Sequence, residues 1–270
     1  MPVTDQPVTD QLAGDQLARD QPLAGRIALV TGVSRRIGIG YTIASRLAAL
    51  GACVYATGWP PHDAEMPQGR DDNEPTEVGA FAIERRDLEI PAEPAMLIDA
   101  VVDKFGAIDI VLAVHARSSR EALADLSAEE LDRTWAANVR SILLLAQRFA
   151  QRHDPARDGG RMIWFTSGQQ LGPMPDELSY TVTKGALHAL TASLAQPLAE
   201  LGIAANCINP GPVDTGYATR EVHARVASMF PSRRWGTPDD VANLVEFLVS
   251  DHGAWIIGQV LNSEGGFRRS

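Results

Sequence analysis

Short apolar runs alternate with longer helical patterns from residue 26 to the end of this chain, and no other feature limits its fold as strongly. The seven runs that predict buried strands are 27–30, 53–56, 81–83, 108–114, 161–166, 204–208 and 256–261. Helical patterns separate them at 41–50, at 91–105, from Ser127 onward, at 178–201 and from Pro238 onward. We therefore predict a single α/β domain: a doubly wound (Rossmann) mainly parallel seven-stranded sheet with helices on both faces.

Composition narrows the class of protein. The 270 residues fit one such domain, and 45% hydrophobic with 21% charged residues is typical of a soluble globular protein. The net charge of −10 argues against a nucleic-acid partner or an anionic membrane surface. The chain contains no run of 18 apolar residues, and residues 1–26 lack the features of a signal peptide, so we expect a cytoplasmic protein without a membrane partner.

The sequence offers no pattern for a metal site. Two cysteines, Cys53 and Cys207, cannot form a disulfide framework or a cysteine-rich metal site, and both lie in apolar runs typical of a core. No His, Asp or Glu cluster has ligand spacing, so we expect no metal.

The first 25 residues repeat an Asp-Gln pair every five residues, at positions 5, 10, 15 and 20. A period of five fits neither a helix nor a strand, so residues 1–25 are predicted to be a disordered tail and residues 26–270 the domain. A docking tail or a subunit-contact arm is the alternative for this segment.

A glycine-rich turn follows the first predicted strand. It runs from Thr31 to Gly40 with glycines at 32, 38 and 40, and a helix comes after it. Glycines let a backbone approach a pyrophosphate, and the helix N-terminus attracts negative charge. The residues predicted to contact a dinucleotide here are Gly32, Ser34, Arg35, Gly38, Ile39 and Gly40. A glycine-rich turn with no ligand remains the alternative for this segment taken alone.

The end of the second strand bears on which dinucleotide is bound. The sequence there is Thr57-Gly58-Trp59, without the acidic residue that accepts a hydrogen bond from a free ribose 2′-hydroxyl, while Arg35 and Arg36 occupy the neighbouring turn. This favours NADP(H) over NAD(H). The following stretch, 58–79, is rich in Pro, Asp and Glu and predicts a partly helical surface excursion.

Tyr180 and Lys184 stand four residues apart near the start of a predicted helix, so both side chains share one face. A nearby ammonium lowers the pKa of a phenol, which then exchanges a proton near neutral pH. Ser167 ends the fifth strand, where a hydroxyl can bind a substrate oxygen. The alternatives without a catalytic role are a solvated surface pair for Tyr180 and Lys184 and a turn cap for Ser167.

With these motifs the chain resembles the short-chain dehydrogenase/reductase family, nearest in appearance to its β-ketoacyl carrier-protein reductase-like branch. The matching residues, in order, are Thr31-Gly32, Gly38-Ile39-Gly40, Asn138, Ser167, Tyr180 with Lys184, 209–215, 234–242 and 258–266. The resemblance implies that Tyr180 protonates the carbonyl oxygen, that Lys184 lowers the Tyr180 pKa and binds the nicotinamide ribose, and that Ser167 polarises the carbonyl. It further implies that Asn138 anchors a relay water.

The same resemblance places further residues against the cofactor. Asp87 and Leu88 would bracket the adenine, and Pro210, Gly211, Val213 and Thr215 would wall the nicotinamide. It also implies a homodimer or homotetramer, formed through the long helices that carry Asn138 and Tyr180.

The sequence departs from the family pattern in two places. The usual Asn-Asn-Ala-Gly after the fourth strand is replaced by the segment 113–117, which contains His115, a residue that could be mistaken for a catalytic base. The glycine turn carries two extra residues. Either Arg36 replaces the middle glycine and the insertion follows Gly38, or Arg36-Ile37 is itself the insertion.

The leading hypothesis is an oxidoreductase that reduces a carbonyl, 3-oxoacyl or another ketone, with NADPH. An alcohol dehydrogenase working in the oxidative direction and a non-catalytic NADP-binding sensor or scaffold are the alternatives. Enoyl reduction is disfavoured, because related enoyl reductases place tyrosine seven residues before the lysine, where this chain has Glu177. The segment 216–235 predicts a mobile lid, whose apolar residues Tyr217, Val222, Val226, Met229 and Phe230 suggest a hydrophobic small-molecule substrate.

Overall fold

The computed structural model describes residues 21–66, 71–157 and 159–268. Its strands are β1 (Ile27–Val30), β2 (Cys53–Gly58), β3 (Glu77–Val78), β4 (Phe81–Arg85), β5 (Ile110–Ala113), β6 (Gly160–Phe165), β7 (Ile203–Asn209) and β8 (Val260–Asn262). They form one sheet in the order β3-β4-β2-β1-β5-β6-β7-β8. All pairs are parallel except β3 with β4. The doubly wound, mainly parallel sheet is confirmed.

The helices cover both faces of this sheet. They are α1 (Ile39–Ala49), α2 (Pro60–Glu65), α3 (Glu93–Phe105), α4 (Ala128–Trp135), α5 (Ser141–Arg152), α6 (Leu178–Ala199), α7 (Arg220–Ser228) and α8 (Pro238–Val249). A π-helical turn, Ala136–Arg140, joins α4 to α5. Ser127 caps α4 by accepting a hydrogen bond from the Glu130 N–H, as predicted.

Two apolar cores lie on opposite faces of the sheet because side chains alternate along each strand. Leu29 of β1 packs with Leu97, Leu145 and Leu187 of α3, α5 and α6. Its neighbours Ala28 and Val30 pack on the other face with helices α1 and α8. Both cores fix the sheet, and the loops at its carboxyl edge are therefore held on a rigid base.

The structure differs from the predicted elements at three places. An eighth strand, β3, pairs antiparallel with β4 across Gly79, whose φ is +57°; two residues are too few to show a strand pattern. The last strand is β8, Val260–Asn262, shorter than the predicted 256–261 because Gly258 turns the chain with φ +71°. Leu23 is only 1% exposed, so an ordered turn begins before the predicted domain start at residue 26. The predicted tail before residue 21 lies outside the described residues.

The direction of winding reverses between β1 and β5. These two strands are neighbours in the sheet, but β2, β3 and β4 lie between them in the chain. In doubly wound sheets a crevice opens at this point, outside the carboxyl ends of the strands. The loops after β1, β2, β4, β5, β6 and β7 all meet there.

Candidate active site

A cavity of about 490 Å³ lies at this carboxyl edge. The predicted site residues that line it are Gly32, Ser34, Arg35, Gly38, Ile39, Gly40, Asp87, Leu88, Ser167, Tyr180, Lys184, Pro210, Gly211, Val213 and Thr215. Residues predicted separately on four loops and on α6 are thus brought together at one cavity. The exception is Asn138, which does not line the cavity.

Ser167, Tyr180 and Lys184 form the polar centre of the cavity. Helix α6 begins at Leu178, so Tyr180 and Lys184 lie in its first two turns and face the same space. Lys184 is 2% exposed, and its Nζ lies 5.4 Å from the centroid of the Tyr180 ring. The Lys184 Nζ donates to the Phe165 carbonyl at 2.7 Å, which ties α6 to the end of β6. The Ser167 side chain is hydrogen-bonded to the Tyr180 phenol.

The protonation states follow from burial. Burial raises the pKa of Tyr180 to about 12, with the hydrogen bond from Ser167 opposing the shift and Glu177 adding to it. Burial lowers the pKa of Lys184 to about 8. The Tyr180 pKa is thus shifted upward and not downward as predicted, because burial is the largest influence on it. Tyr180 therefore holds its proton at neutral pH and is a donor.

Asn138 lies in the π-helical turn and is fully buried. Its Oδ1 accepts from the Arg117 backbone N–H at 2.6 Å. Its Nδ2 donates to the Arg117 carbonyl at 2.9 Å and to Thr183 Oγ1 at 3.0 Å. With both amide hydrogens used, the side chain fixes the loop after β5 to α6 and leaves no donor for the cavity. The water-anchoring role of this residue stays a prediction.

Two glycines of the turn after β1 are required by close backbone contact. Gly32 has φ +74°, and a Cβ there would lie 2.6 Å from the His115 backbone nitrogen. A Cβ on Gly40 would lie 2.4 Å from the Gly32 carbonyl oxygen. Both distances are below any normal contact, so only glycine allows the first turn of α1 to approach the loop after β1. Such a turn fits a dinucleotide pyrophosphate at a helix N-terminus.

The structure bears on the two alternatives for the extra residues in this turn. Gly38 is the N-cap of α1, and its N–H donates to the Arg35 carbonyl at 3.0 Å. Arg36 and Ile37 are exposed between them. Gly38-Ile39-Gly40 therefore opens the helix, which favours Arg36-Ile37 as the insertion.

The two arginines of the turn have different surroundings. Arg36 points away from the cavity, with Nε donating to the Asn73 carbonyl at 3.0 Å and Nη1 to the Tyr41 hydroxyl at 3.1 Å. Arg35 lines the cavity, and its Nε is buried without a hydrogen-bond partner among the described residues. A buried donor without a partner is costly, so this guanidinium fits an anionic group in the cavity.

His115 occupies the segment where the family motif is missing. Its Nδ1 lies 2.6 Å from Thr31 Oγ1, and its Nε2 lies 2.8 Å from Ser141 Oγ. Burial and the nearby Lys184 ammonium lower the pKa of His115 to about 4. The imidazole is therefore neutral at pH 7 and joins the loop after β1 to α5. Both its nitrogens are occupied in this role, which argues against a catalytic base.

We expect the acid sensitivity of the fold to depend on His115. Its folded pKa of about 4 lies below the ordinary 6.5, so the unfolded chain binds more protons between these values and stability falls as the pH falls through this window. The His115 contribution lost between pH 7 and pH 5 is about 2 kcal/mol. Urea unfolding at both pH values measures this loss. Between pH 7 and pH 5, the unfolding free energy of His115→Asn should fall by about 2 kcal/mol less than that of the wild type. The exposed His252→Asn is the control, and an equal loss in all three proteins would contradict the assignment.

A clamp closes the base of the predicted lid. Val213 and Gly236 form a parallel bridge, with the Gly236 N–H donating to the Pro212 carbonyl at 3.1 Å and the Asp214 N–H to the Gly236 carbonyl at 2.9 Å. Above it, Tyr217 contacts Trp235 edge-on at 5.8 Å. Of the five predicted apolar lid residues, only Tyr217 lines the cavity. The other four lie outside the cavity lining: Val222, Val226, Met229 and Phe230. Of these, Phe230 is buried against Phe267.

Several cavity residues were not among the site residues predicted from the sequence. Trp59, His62, Asp63 and Met66 come from α2 and its flanks, within the stretch predicted as a surface excursion. Arg117 follows β5 and is 6% exposed. It pairs with Glu130 at 2.7 Å, Glu65 at 3.0 Å and Glu89 at 3.3 Å. These contacts join segments that are far apart in the chain, so the hydrophobic periodicity of the sequence does not predict them.

Comparison with known proteins identifies the class. The profile of a family described as enoyl-(acyl carrier protein) reductase matches residues 32–268. An uncharacterized oxidoreductase of Bacillus subtilis is 40% identical over 245 residues, covering 90% of this chain and 97% of that protein. The chain belongs to the short-chain dehydrogenase/reductase family. Its doubly wound sheet agrees with this assignment.

Two further relatives have descriptions that name a cofactor. An NADPH-dependent aldehyde reductase-like chloroplastic protein of Arabidopsis thaliana is 34% identical over 260 residues, covering 91% of this chain and 95% of that protein. A short-chain dehydrogenase of Burkholderia cenocepacia in complex with NADP has 33% identity and a TM-score of 0.76, covering 90% of this chain and 98% of that one.

Among the described residues, no helix has the length and apolar character needed to cross a membrane. Residues 21–66, 71–157 and 159–268 contain no group of three or more His, Cys, Asp or Glu placed to hold a metal ion.

Proposed function

We propose that this enzyme reduces the carbonyl group of a small ketone or aldehyde to an alcohol with NADPH. The observation that carries the proposal is the Ser167, Tyr180 and Lys184 arrangement on the cavity wall, where the phenol has a pKa of about 12 and is protonated at neutral pH. A protonated phenol is suited to donate to an oxygen that gains negative charge. The NADPH-dependent relative named above supports the same chemistry.

The positions of Ser167, Tyr180 and Lys184 support a different role for each residue. When bound, the nicotinamide cofactor supplies the hydride. Ser167 and Tyr180 both direct hydroxyl groups toward a carbonyl oxygen and stabilise the charge that develops on it. Tyr180 then gives its proton to that oxygen. The Lys184 ammonium, buried beside the ring, stabilises the phenolate that remains.

Oxidation of an alcohol would use the same residues in reverse, with the Tyr180 phenolate accepting the proton. An alcohol dehydrogenase working in the oxidative direction therefore remains the alternative to reduction. The sensor or scaffold alternative loses support because Asn138, Ser167, Tyr180 and Lys184 are all present.

NADP(H) is the proposed cofactor, with NAD(H) second. Arg35 lines the cavity, and its buried Nε has no hydrogen-bond partner among the described residues; this supports a 2′-phosphate, and the B. cenocepacia relative is solved with NADP. A 3-oxoacyl thioester is one substrate within the proposal. Enoyl reduction is disfavoured although the matching family is described as an enoyl reductase, since Glu177 stands where the tyrosine of related enoyl reductases would be.

A cytoplasmic homodimer or homotetramer remains part of the proposal. Its support is an exposed apolar set on the long helices: Trp135 is 45% exposed, Leu143 40% and Val182 55%. Light scattering should give a mass of two or four chains.

The test is NADPH consumption by the purified protein. The panel runs from β-ketoacyl thioesters and β-keto esters to aldehydes, quinones, cyclic ketones and an enoyl thioester. We expect turnover of at least one carbonyl class and none of the enoyl substrate. NADPH binding with no turnover on the whole panel would instead favour the sensor or scaffold.

A further inference from the structure

Helix α2 brings a part of the chain into the cavity that the family motifs do not include. It follows β2 directly, and Trp59, His62, Asp63 and Met66 line the cavity beside the glycine turn. The His62 Nε2 accepts a hydrogen bond from the Ser118 backbone N–H at 3.1 Å, which fixes α2 to the loop after β5. The position of α2 is therefore built into the fold and does not depend on a ligand.

Asp63 is the acidic residue of this segment that lines the cavity. Its carboxylate accepts a hydrogen bond from the Ser34 side chain in the glycine turn. The other oxygen, Oδ2, is buried and has no hydrogen-bond partner in the described part of the chain. Burial raises the pKa of Asp63, and the positive charge of Arg35 opposes the shift, which places the two charges near each other.

Asp63 Oδ2 and Arg35 Nε are thus an acceptor and a donor, both buried, both unpartnered within the described residues and both on residues of one cavity wall. Each unmet group costs free energy, which the two side chains recover when they turn toward a ligand that offers a hydroxyl and an anion. The wall lies at the carboxyl end of β2, where a doubly wound fold holds the adenosine ribose. A carboxylate there accepts from a ribose 2′-hydroxyl and repels a 2′-phosphate, while a guanidinium attracts the phosphate.

We propose that Asp63 and Arg35 together read the 2′ position of the adenosine ribose, and that Asp63 lets this enzyme bind NADH as well as NADPH. The proposal rests on the proposed function and corrects one premise of the sequence argument. The acid that is absent from Thr57-Gly58-Trp59 is supplied four residues after Trp59, by α2. Arg35 favours the 2′-phosphate and Asp63 opposes it, so the two residues together set the ratio of the affinity for NADPH to the affinity for NADH.

The test is a titration of the full-length protein with NADPH and with NADH, followed by tryptophan fluorescence, without a carbonyl substrate. Asp63→Asn removes the repulsion and keeps the size of the side chain. It should raise the preference for NADPH over NADH at least about fivefold, the effect of one neighbouring unit charge even in water-like screening. Arg35→Ala should lower the same preference about tenfold, because it removes a charge-assisted hydrogen bond.

Asp72→Asn is the matched control, since it makes the same charge change in the same excursion at an exposed residue that does not line the cavity. It should leave the preference unchanged. Asp63→Ala gives a second measurement if the amide variant does not fold. A preference that Asp63→Asn leaves unchanged, or an equal shift for both cofactors, overturns the role of Asp63 while carbonyl reduction stands. Binding of neither cofactor overturns both proposals.

Discussion

Replacing Tyr180 with phenylalanine is expected to reduce turnover roughly 10²- to 10⁴-fold while NADPH affinity stays nearly unchanged. The variant removes one hydroxyl, the group that is hydrogen-bonded to Ser167 and holds the transferable proton. The ring, which lies 5.4 Å from the Lys184 Nζ, remains in place. Turnover is measured with the substrate class found in the carbonyl panel, and affinity by fluorescence titration.

Tyr41→Phe is the control for this experiment. The Tyr41 hydroxyl accepts a hydrogen bond from Arg36 Nη1 at 3.1 Å and does not line the cavity, so its loss should leave turnover at the wild-type level. Full activity in Tyr180→Phe would show that the proton comes from another donor. Tyr217, the other phenol lining the cavity, would then be the next candidate.

The second large effect is expected from Gly40→Ala. The new Cβ would lie 2.4 Å from the Gly32 carbonyl oxygen and 2.9 Å from its carbonyl carbon, and backbone atoms cannot turn aside as a flexible side chain can. Either α1 or the loop after β1 must move. Such overpacking costs about 1–3 kcal/mol of stability, and the displaced turn should no longer bind NADPH.

Gly185→Ala is the matched substitution in another helix. No atom lies within 4 Å of the position of its Cβ, so the variant should be stabilised by about 0.5–1 kcal/mol, the ordinary advantage of alanine over glycine in a helix. Urea unfolding and NADPH titration of both variants check the pair. Wild-type stability and affinity in Gly40→Ala would mean that the turn is looser than the structure shows.

The fold and most of the site were predictable because both depend on local patterns. Buried parallel strands are continuous apolar runs, and their carboxyl ends meet at one edge whatever the loops contain. Residues placed just after strands, such as Ser167 after β6 and Gly32 after β1, therefore had to lie near each other. The spacing of Tyr180 and Lys184 needed only the helical period.

The remaining features depend on contacts between distant segments. The entry of Asp63 into the cavity depends on the hydrogen bond between His62 and the loop after β5, and nothing in the stretch 58–79 predicts that bond. The direction of the Asn138 side chain depends on the π-helical turn and on the Arg117 backbone. The Tyr180 pKa was predicted with the wrong sign because a sequence shows the neighbouring charge but does not show the loss of water.

The clamp at the base of the lid has a practical consequence for protein engineering. Because Val213 and Gly236 are bridged, the twenty-two residues between them leave and rejoin the domain at one point. Ser167, Tyr180 and Lys184 all lie outside this segment. The segment can therefore be exchanged as a cassette with the equivalent loop of a relative, in order to transplant substrate preference while the proton donor stays untouched.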